Sequence, residues 1–347
     1  MKLRIPISIT MLLSLFVSCS RCTLPAPGVS RTVSILSYNV ENLFDDRDDG
    51  TEYREYDPGA GTWDTALYHT KLRNISESIR SSARGGPDIC LLQEVENEKV
   101  VEDLLDGYLN ILKYRGSYTA SSPDTATTVA ALSRYVPKAV RVHRVHTEGR
   151  QRLRTILELE FEIHGKPLVI LNNHWKSKSG GAEETEELRL KTAAFVRDRV
   201  EELLRARPGL FIVVAGDLNE RDIEYDSASR AYQTALLLDS YTSPEGYTAG
   251  SLFLSDSWKN TGVSNGRVVF FSPWLLEHEE GSYVYNGGWE RIDHFLLIGS
   301  DEGYSFDSFE VVRSEQLLNT LGFPRRWSTR TATGYSDHLP LLIRLRQ

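Results

Sequence analysis

Short apolar runs recur along the chain at residues 33–40, 88–93, 168–172, 211–215, 292–298 and 339–345. Runs of this length, rich in Val, Ile and Leu, predict buried strands. Residues 152–162 alternate instead, with Leu153, Thr155, Leu157, Leu159 and Phe161 on one side, the pattern of a strand with one solvated face. Helical spacing appears between the runs. Tyr68, Leu72, Ile75 and Ile79 step by four, three and four before Gly85-Gly86-Pro87 ends the helix. Residues 183–207 repeat the pattern with Leu188, Thr192, Phe195, Val196, Leu203 and Leu204, and Pro208-Gly209 stops it. Many strands and few helices predict an α+β fold of two mainly antiparallel sheets packed face to face, with the helices outside. Residues 222–267 carry weaker patterning and read as loops with short elements.

The N-terminus reads as an address. Lys2 and Arg4 precede an apolar run over residues 5–17, then Ser18 and Cys19. This is the layout of a signal peptide, too short and too early for a spanning helix. Cys19 directly after a small residue is similar to the lipobox of bacterial lipoproteins and is the expected lipidation site. The expected division is therefore a signal peptide over 1–18, a tether over 19–30 containing two prolines and a glycine, and one domain over 31–347. The expected location is the bacterial cell envelope, outside the cytoplasm, touching the membrane only through that lipid. Cys90 lies in an apolar run and is expected as a buried thiol, so a disulfide scaffold is not expected.

The net charge of −8 argues against a dedicated nucleic-acid binder and leaves room for a catalyst with a cation in its site. The basic stretch from Arg134 to Arg152, with His143 and His146, reads either as a track for a nucleic-acid backbone or as a solvated face. The acidic loop over residues 45–57 does not complete a calcium-loop register, because Tyr56 stands where a bidentate Glu is needed, and it reads as solvated.

Polar residues suited to metal or phosphate chemistry sit where the apolar runs end. They are Asn39 and Glu41 in Ser37-Tyr38-Asn39-Val40-Glu41-Asn42; Gln93-Glu94; Asn173-His174-Trp175-Lys176; Gly216-Asp217-Leu218-Asn219; Arg291-Ile292-Asp293-His294; and Ser336-Asp337-His338. One such residue is usually a turn or cap. Six strand ends from two facing sheets can converge on one rim. These blocks, in this order, resemble the endonuclease/exonuclease/phosphatase superfamily, the deoxyribonuclease-I-like fold. That resemblance implies a four-layer α/β/β/α sandwich with the site at one rim.

It also implies roles. Glu94, with Asn39, Glu41 and Asp337, would hold magnesium or manganese, which accept oxygen ligands and polarise phosphoryl oxygens. Asp217 would take the proton of the attacking water, and Asn219 would hold water and phosphate. His174 would donate to a phosphate oxygen or the leaving group. His338 would be oriented by Asp293, while Arg154 and Lys176 would bind phosphate. His294, next to Asp293 on a strand, should face away.

The expected activity is a metal-dependent phosphodiesterase, acting as a monomer on a phosphoester such as DNA or RNA. A phosphatase or phosphodiesterase on small or lipid phosphates is the alternative, and an inactive binding module is a third. The family run after Ser122-Pro123-Asp124 is replaced here by Thr125-Ala126-Thr127-Thr128, a departure that bears on substrate choice.

Overall fold

The computed structural model describes residues 31–122, 125–147, 153–241, 250–264, 266–277 and 279–347. The signal peptide, Cys19 and the tether lie outside the described residues, as do Arg150 and Arg152. No helix among the described residues is long and apolar enough to cross a membrane.

The strands in chain order are β1 (Thr32–Leu43), β2 (Ile89–Val95), β3 (Gly116–Thr119), β4 (Thr128–Ser133), β5 (Ala139–His143), β6 (Ile156–Ile163), β7 (Lys166–His174), β8 (Phe211–Asp217) and β9 (Leu236–Leu238). Then follow β10 (Leu252–Ser255), β11 (Gly262–Ser264), β12 (Arg267–Phe271), β13 (Tyr283–Tyr285), β14 (Gly288–Glu290), β15 (Asp293–Gly299), β16 (Ser305–Val311) and β17 (Leu341–Arg346). The helices are α1 (Thr65–Ser81), α2 (Glu98–Leu104), α3 (Ala182–Ala206) and the single turn α4 (Glu224–Ser227).

One large sheet runs β16-β17-β1-β2-β4-β3 and a second β5-β6-β7-β8-β15-β12-β10-β9, with β11 beside β12, while β13 and β14 pair as a separate hairpin. Most neighbours are antiparallel. Parallel pairs join β1 to β2, β7 to β8, and β10 to its two neighbours.

Period-two alternation sorts the second sheet into two cores. Leu168, Ile170, Phe211, Val213, Ala215, Phe295 and Leu297 join a large core with the first sheet, α1 and α2. Their neighbours Val169, Leu171, Ile212, Val214, Leu296 and Ile298 pack with Ala193, Val196 and Val200 of α3. The central strands β7, β8 and β15 thus serve two interfaces each, and the expected four layers follow.

The strand and helix expectations hold closely, with one correction. The outer face of β6 is solvated only toward its far end, where Glu160 is half-buried and Glu162 exposed, and not at Glu158. Glu158 is fully buried there, gripped by Arg199 of α3 at 2.7 Å and by His143 at 2.7 Å. Alternation in sequence showed a charged face, but a charged partner on the covering helix makes burial of Glu158 within it tolerable. The same pairing uses much of the basic stretch. Arg141 bonds Glu158 and Glu160, Lys138 bonds Glu162, and Arg134 bonds Asp88, so these charges are neutralised across strands. Cys90 is a buried free thiol, as expected.

Candidate active site

The register of three adjacent strands builds the centre of the site. His174 on β7 pairs with Asp217 on β8, and Asp217 pairs with Asp293 on β15. The last residue of each of the first two strands and the first of the third therefore stand in a row at one rim. Gly216 makes this possible. Its φ is +124°, and a Cβ there would lie 1.9 Å from the Asn173 carbonyl oxygen, so only glycine lets β8 approach β7 at that point.

The first sheet adds the opposite wall. β1 and β2 pair in register to Asn39 and Gln93, then slip by a bulge before Leu43 and Val95. Within that irregularity Glu41, Asn42 and Glu94 take φ of 50°, 55° and 63°. Left-handed backbone at three non-glycine residues is strain of the kind that collects at functional sites. It is held in place, since the Asn42 N–H donates to Glu94 Oε2 at 3.0 Å.

The rim encloses a cavity of about 740 Å³ lined by Glu41, Glu94, His174, Asp217, Asn219, Asp337 and His338, with Tyr283 and Tyr285 at its edge. His174 Nε2 stands 3.6 Å from both Glu94 Oε1 and Asp217 Oδ2. Asp217 accepts from the Asn39 amide at 3.0 Å and from the Asn219 N–H at 2.9 Å. His338 Nδ1 lies 2.8 Å from Asp293 Oδ2, and its Nε2 points to Asp217 and Asp337 at 4.0 and 3.9 Å. Asp293 also accepts from the Ser282 hydroxyl at 2.5 Å.

The electrostatics divide the two histidines. Burial, reinforced by Arg154, His338 and Lys176, holds His174 well below the ordinary histidine range, so it is neutral. Burial also opposes charge on His338, but Asp293, Asp217 and Asp337 outweigh it and push that pKa well up. Burial, then Asp293 and Glu94, raise Asp217 to about 7 against the pull of His338 and the Asn219 N–H. A carboxylate poised there suits proton transfer near neutrality.

The metal candidates differ in availability. Glu94 keeps Oε1 turned to the cavity, and Asp337 is partly exposed there. Asn39 spends its amide oxygen on the Glu41 N–H and its amide nitrogen on Asp217. Glu41 gives one oxygen to Arg326 and the other to the Trp327 N–H. Of the four metal candidates, those open to the cavity thus offer carboxylate oxygen, which fits magnesium or manganese. Asp217, Asp293 and His338 also present atoms within 4.8 Å of one another. The Asp293–His338 hydrogen bond already occupies the facing atoms of that trio.

Arg154 and Lys176 are set beside the cavity, not in its wall. They line a neighbouring pocket of about 190 Å³ with Tyr53 and Thr127, and Arg154 donates to the Trp175 carbonyl at 2.8 Å. His294 faces away, as expected, its Nε2 against the Glu220 carbonyl at 2.8 Å. Trp175 is core, bonded to Asn173, whereas Tyr285 is exposed at the cavity edge.

Sequence reasoning missed Arg326, Lys71 and Ser282. Lys71, fully buried on α1, donates to the Glu41 and Asn42 carbonyls and so fixes the strained turn from behind. The signal was its place on the helix, since Lys71 stands three residues after Tyr68 and four before Ile75, on the apolar face.

The sequence profile of the endonuclease/exonuclease/phosphatase family matches residues 34–240. The chain is 26% identical to a 5'-tyrosyl-DNA phosphodiesterase of Caenorhabditis elegans over 267 residues, 77% of this chain and 58% of that protein. With its Caenorhabditis briggsae counterpart the share is 61%, so the chain spans about three fifths of the length of the curated relatives it matches. Among solved structures, D. rerio TDP2 complexed with single strand DNA product aligns with a TM-score of 0.56 at 16% identity, over 91% of this chain and 99% of that one. ANGEL2, a 2',3'-cyclic phosphatase, aligns with a TM-score of 0.58 at 15% identity, over 91% and 95%. At such identities the structural likeness establishes the shared sandwich fold.

Proposed function

The chain belongs to the endonuclease/exonuclease/phosphatase family, and from that premise we propose that it is a divalent-metal-dependent phosphodiesterase acting on a nucleic-acid phosphoester outside the cytoplasm. The observation that carries the reading is the row His174, Asp217, Asp293 set by strand register, closed by His338 and faced by Glu94.

Glu94 and Asp337 would hold magnesium or manganese, which supplies Lewis-acid polarisation of the phosphoryl oxygens and offsets the negative charge of ester and protein. Asp217, held by Asn39 and Asn219, accepts the proton of the attacking water as its oxygen bonds to phosphorus. His338, charged and locked by Asp293, stabilises charge on the phosphoryl oxygens as the bond to the leaving oxygen breaks. Neutral His174 donates from Nε2 to a phosphoryl oxygen. Tyr283 and Tyr285 offer aromatic faces at the cavity edge for a base or a phenolic leaving group. The phosphodiesterase named among the relatives acts on a 5'-tyrosyl-DNA bond, which supports a phosphoester at the end of a DNA strand as the substrate.

The test is hydrolysis with magnesium of single-stranded DNA carrying a 5'-tyrosyl group, alongside plasmid DNA, RNA, sphingomyelin and inositol phosphates. The reading expects a nucleic-acid substrate to be turned over fastest. Preference for the lipid or inositol phosphates by 10-fold or more in kcat/KM, equal to about 1.4 kcal/mol, would overturn the substrate assignment.

The location rests on Ser18-Cys19 behind the apolar run. Labelled fatty acid should enter the wild type and not Cys19→Ser, and the variant should move to the soluble fraction. An unlabelled wild type, or a variant still on the membrane, refutes the anchor.

A further inference from the structure

We infer that the loop after β1 and the end of β2 form a second cation site, a structural calcium site built by Asp49, Glu52 and Glu96. It is independent of the catalytic reading. One carboxylate oxygen from each of the three lies within 4.8 Å of the other two. Clustered acids alone are ordinary on a surface, but Glu96 is not on the surface. It is 91% buried, and the Asp45 N–H donates to its Oε2 at 2.7 Å. Its Oε1 is shut off from water and has no hydrogen-bond donor among the described residues.

A buried carboxylate oxygen without a donor is costly unless a cation answers it. Glu96 lines a cavity of about 300 Å³ with Asp49, Thr51, Asn97, Ser121 and Thr125. The Thr125 hydroxyl is a second buried oxygen in the same lining with no partner among the described residues.

The donors are all oxygen. Three clustered carboxylates, with the Thr125 hydroxyl in the same lining as Asp49 and Glu96, offer an irregular set of oxygens that suits calcium, which takes six to eight oxygens in flexible geometry. Magnesium asks for a tight octahedron, and zinc prefers nitrogen and sulfur. The loop supplies its ligands without an EF-hand register, because Glu96 arrives from β2, about fifty residues on. This revises the reading of the acidic loop as simply solvated.

Position gives the site a purpose. Glu96 stands two residues after Glu94, and the loop follows Glu41 and Asn42, so a cation here ties together the ends of the two strands that bulge into the active site. Tyr53, immediately after Glu52, lines the pocket with Arg154 and Lys176, and a fixed loop fixes that wall.

The experiment is calorimetric titration of the chelator-stripped full chain with calcium, in saturating magnesium, paired with thermal unfolding. We expect one calcium site with Kd between about 10⁻⁵ and 10⁻³ M. Calcium at about 100 times Kd should raise Tm by about 5 °C. Glu94→Gln should keep the site. Glu96→Gln should weaken it at least 10-fold, and so should Asp49→Asn combined with Glu52→Gln, whose side chains are not buried and whose replacement leaves the core intact. No heat and no Tm shift at about 10 mM calcium overturns the proposal, as does calcium binding lost in Glu94→Gln but retained in the loop variants.

Discussion

His338 and Asp293 form a buried pair, Nδ1 to Oδ2 at 2.8 Å, across 45 residues of chain. Asp293 is fixed in turn by Ser282 and by the β8 pairing, so the imidazole has one orientation with Nε2 toward Asp217. Two groups arranged this way act as one. His338→Ala should lower kcat by roughly 10²–10⁴-fold and Asp293→Asn by a similar factor. The double variant should lose little more than the worse single one. Steady-state kinetics on variants with native circular dichroism checks this. Losses that multiply would reassign Asp293 to holding backbone.

Chelation should abolish hydrolysis, and magnesium or manganese should restore it. Glu94→Gln should raise the magnesium concentration needed for half-maximal rate by more than about 10-fold, whereas Glu41→Gln, whose oxygens are already taken by Arg326 and Trp327, should act mainly on stability. Metal titrations of rate set against thermal unfolding separate the two effects. An equal metal requirement in wild type and Glu94→Gln would remove Glu94 from the ligand set.

Glu158 gives a prediction in pH. Burial opposes its charge, but Arg199 and His143 overcome it and hold the carboxyl down at about 2. A depressed folded pKa contributes stability above the unfolded value, and that stability is lost as pH falls from about 4.5 through about 2. With the side chain fully buried, Glu158→Gln should cost on the order of 3 kcal/mol at neutral pH. The gap to wild type should close as pH approaches 2. Urea unfolding at several pH values measures it, and a gap that stays constant with pH would refute the coupling.

Gly216→Ala should destabilise the fold by about 3 kcal/mol or more, because positive φ and the Asn173 carbonyl both exclude a Cβ. Gly209→Ala, where a Cβ meets nothing within 4 Å, should change stability by less than about 0.5 kcal/mol. Chemical denaturation of the two variants makes the comparison, and similar losses would show that β7 and β8 can separate locally at little cost.

Much of this protein was written in local sequence. Short continuous apolar runs marked β1, β2, β7, β8, β15 and β17, and apolar residues stepping by three and four marked α1 and α3, because burial follows the spacing each element imposes. The polar residues ending those strands marked the rim, since a strand end has nowhere else to present them. Other features came from packing alone. Glu158 on the charged face of β6 reads as solvated until Arg199 arrives from α3, more than forty residues away. The spacing puts Lys71 on the apolar face of α1, but only the fold sets its ammonium against two carbonyls of a strained turn. Glu96 sits in a strand-end motif whose neighbour Glu94 drew attention, yet only the fold sets it against Asp49 and Glu52. Sequence determines which residues must be buried and at what period. The tertiary structure decides which buried charges meet, because a charge is tolerated inside only where a partner from a distant segment, or a cation, answers it.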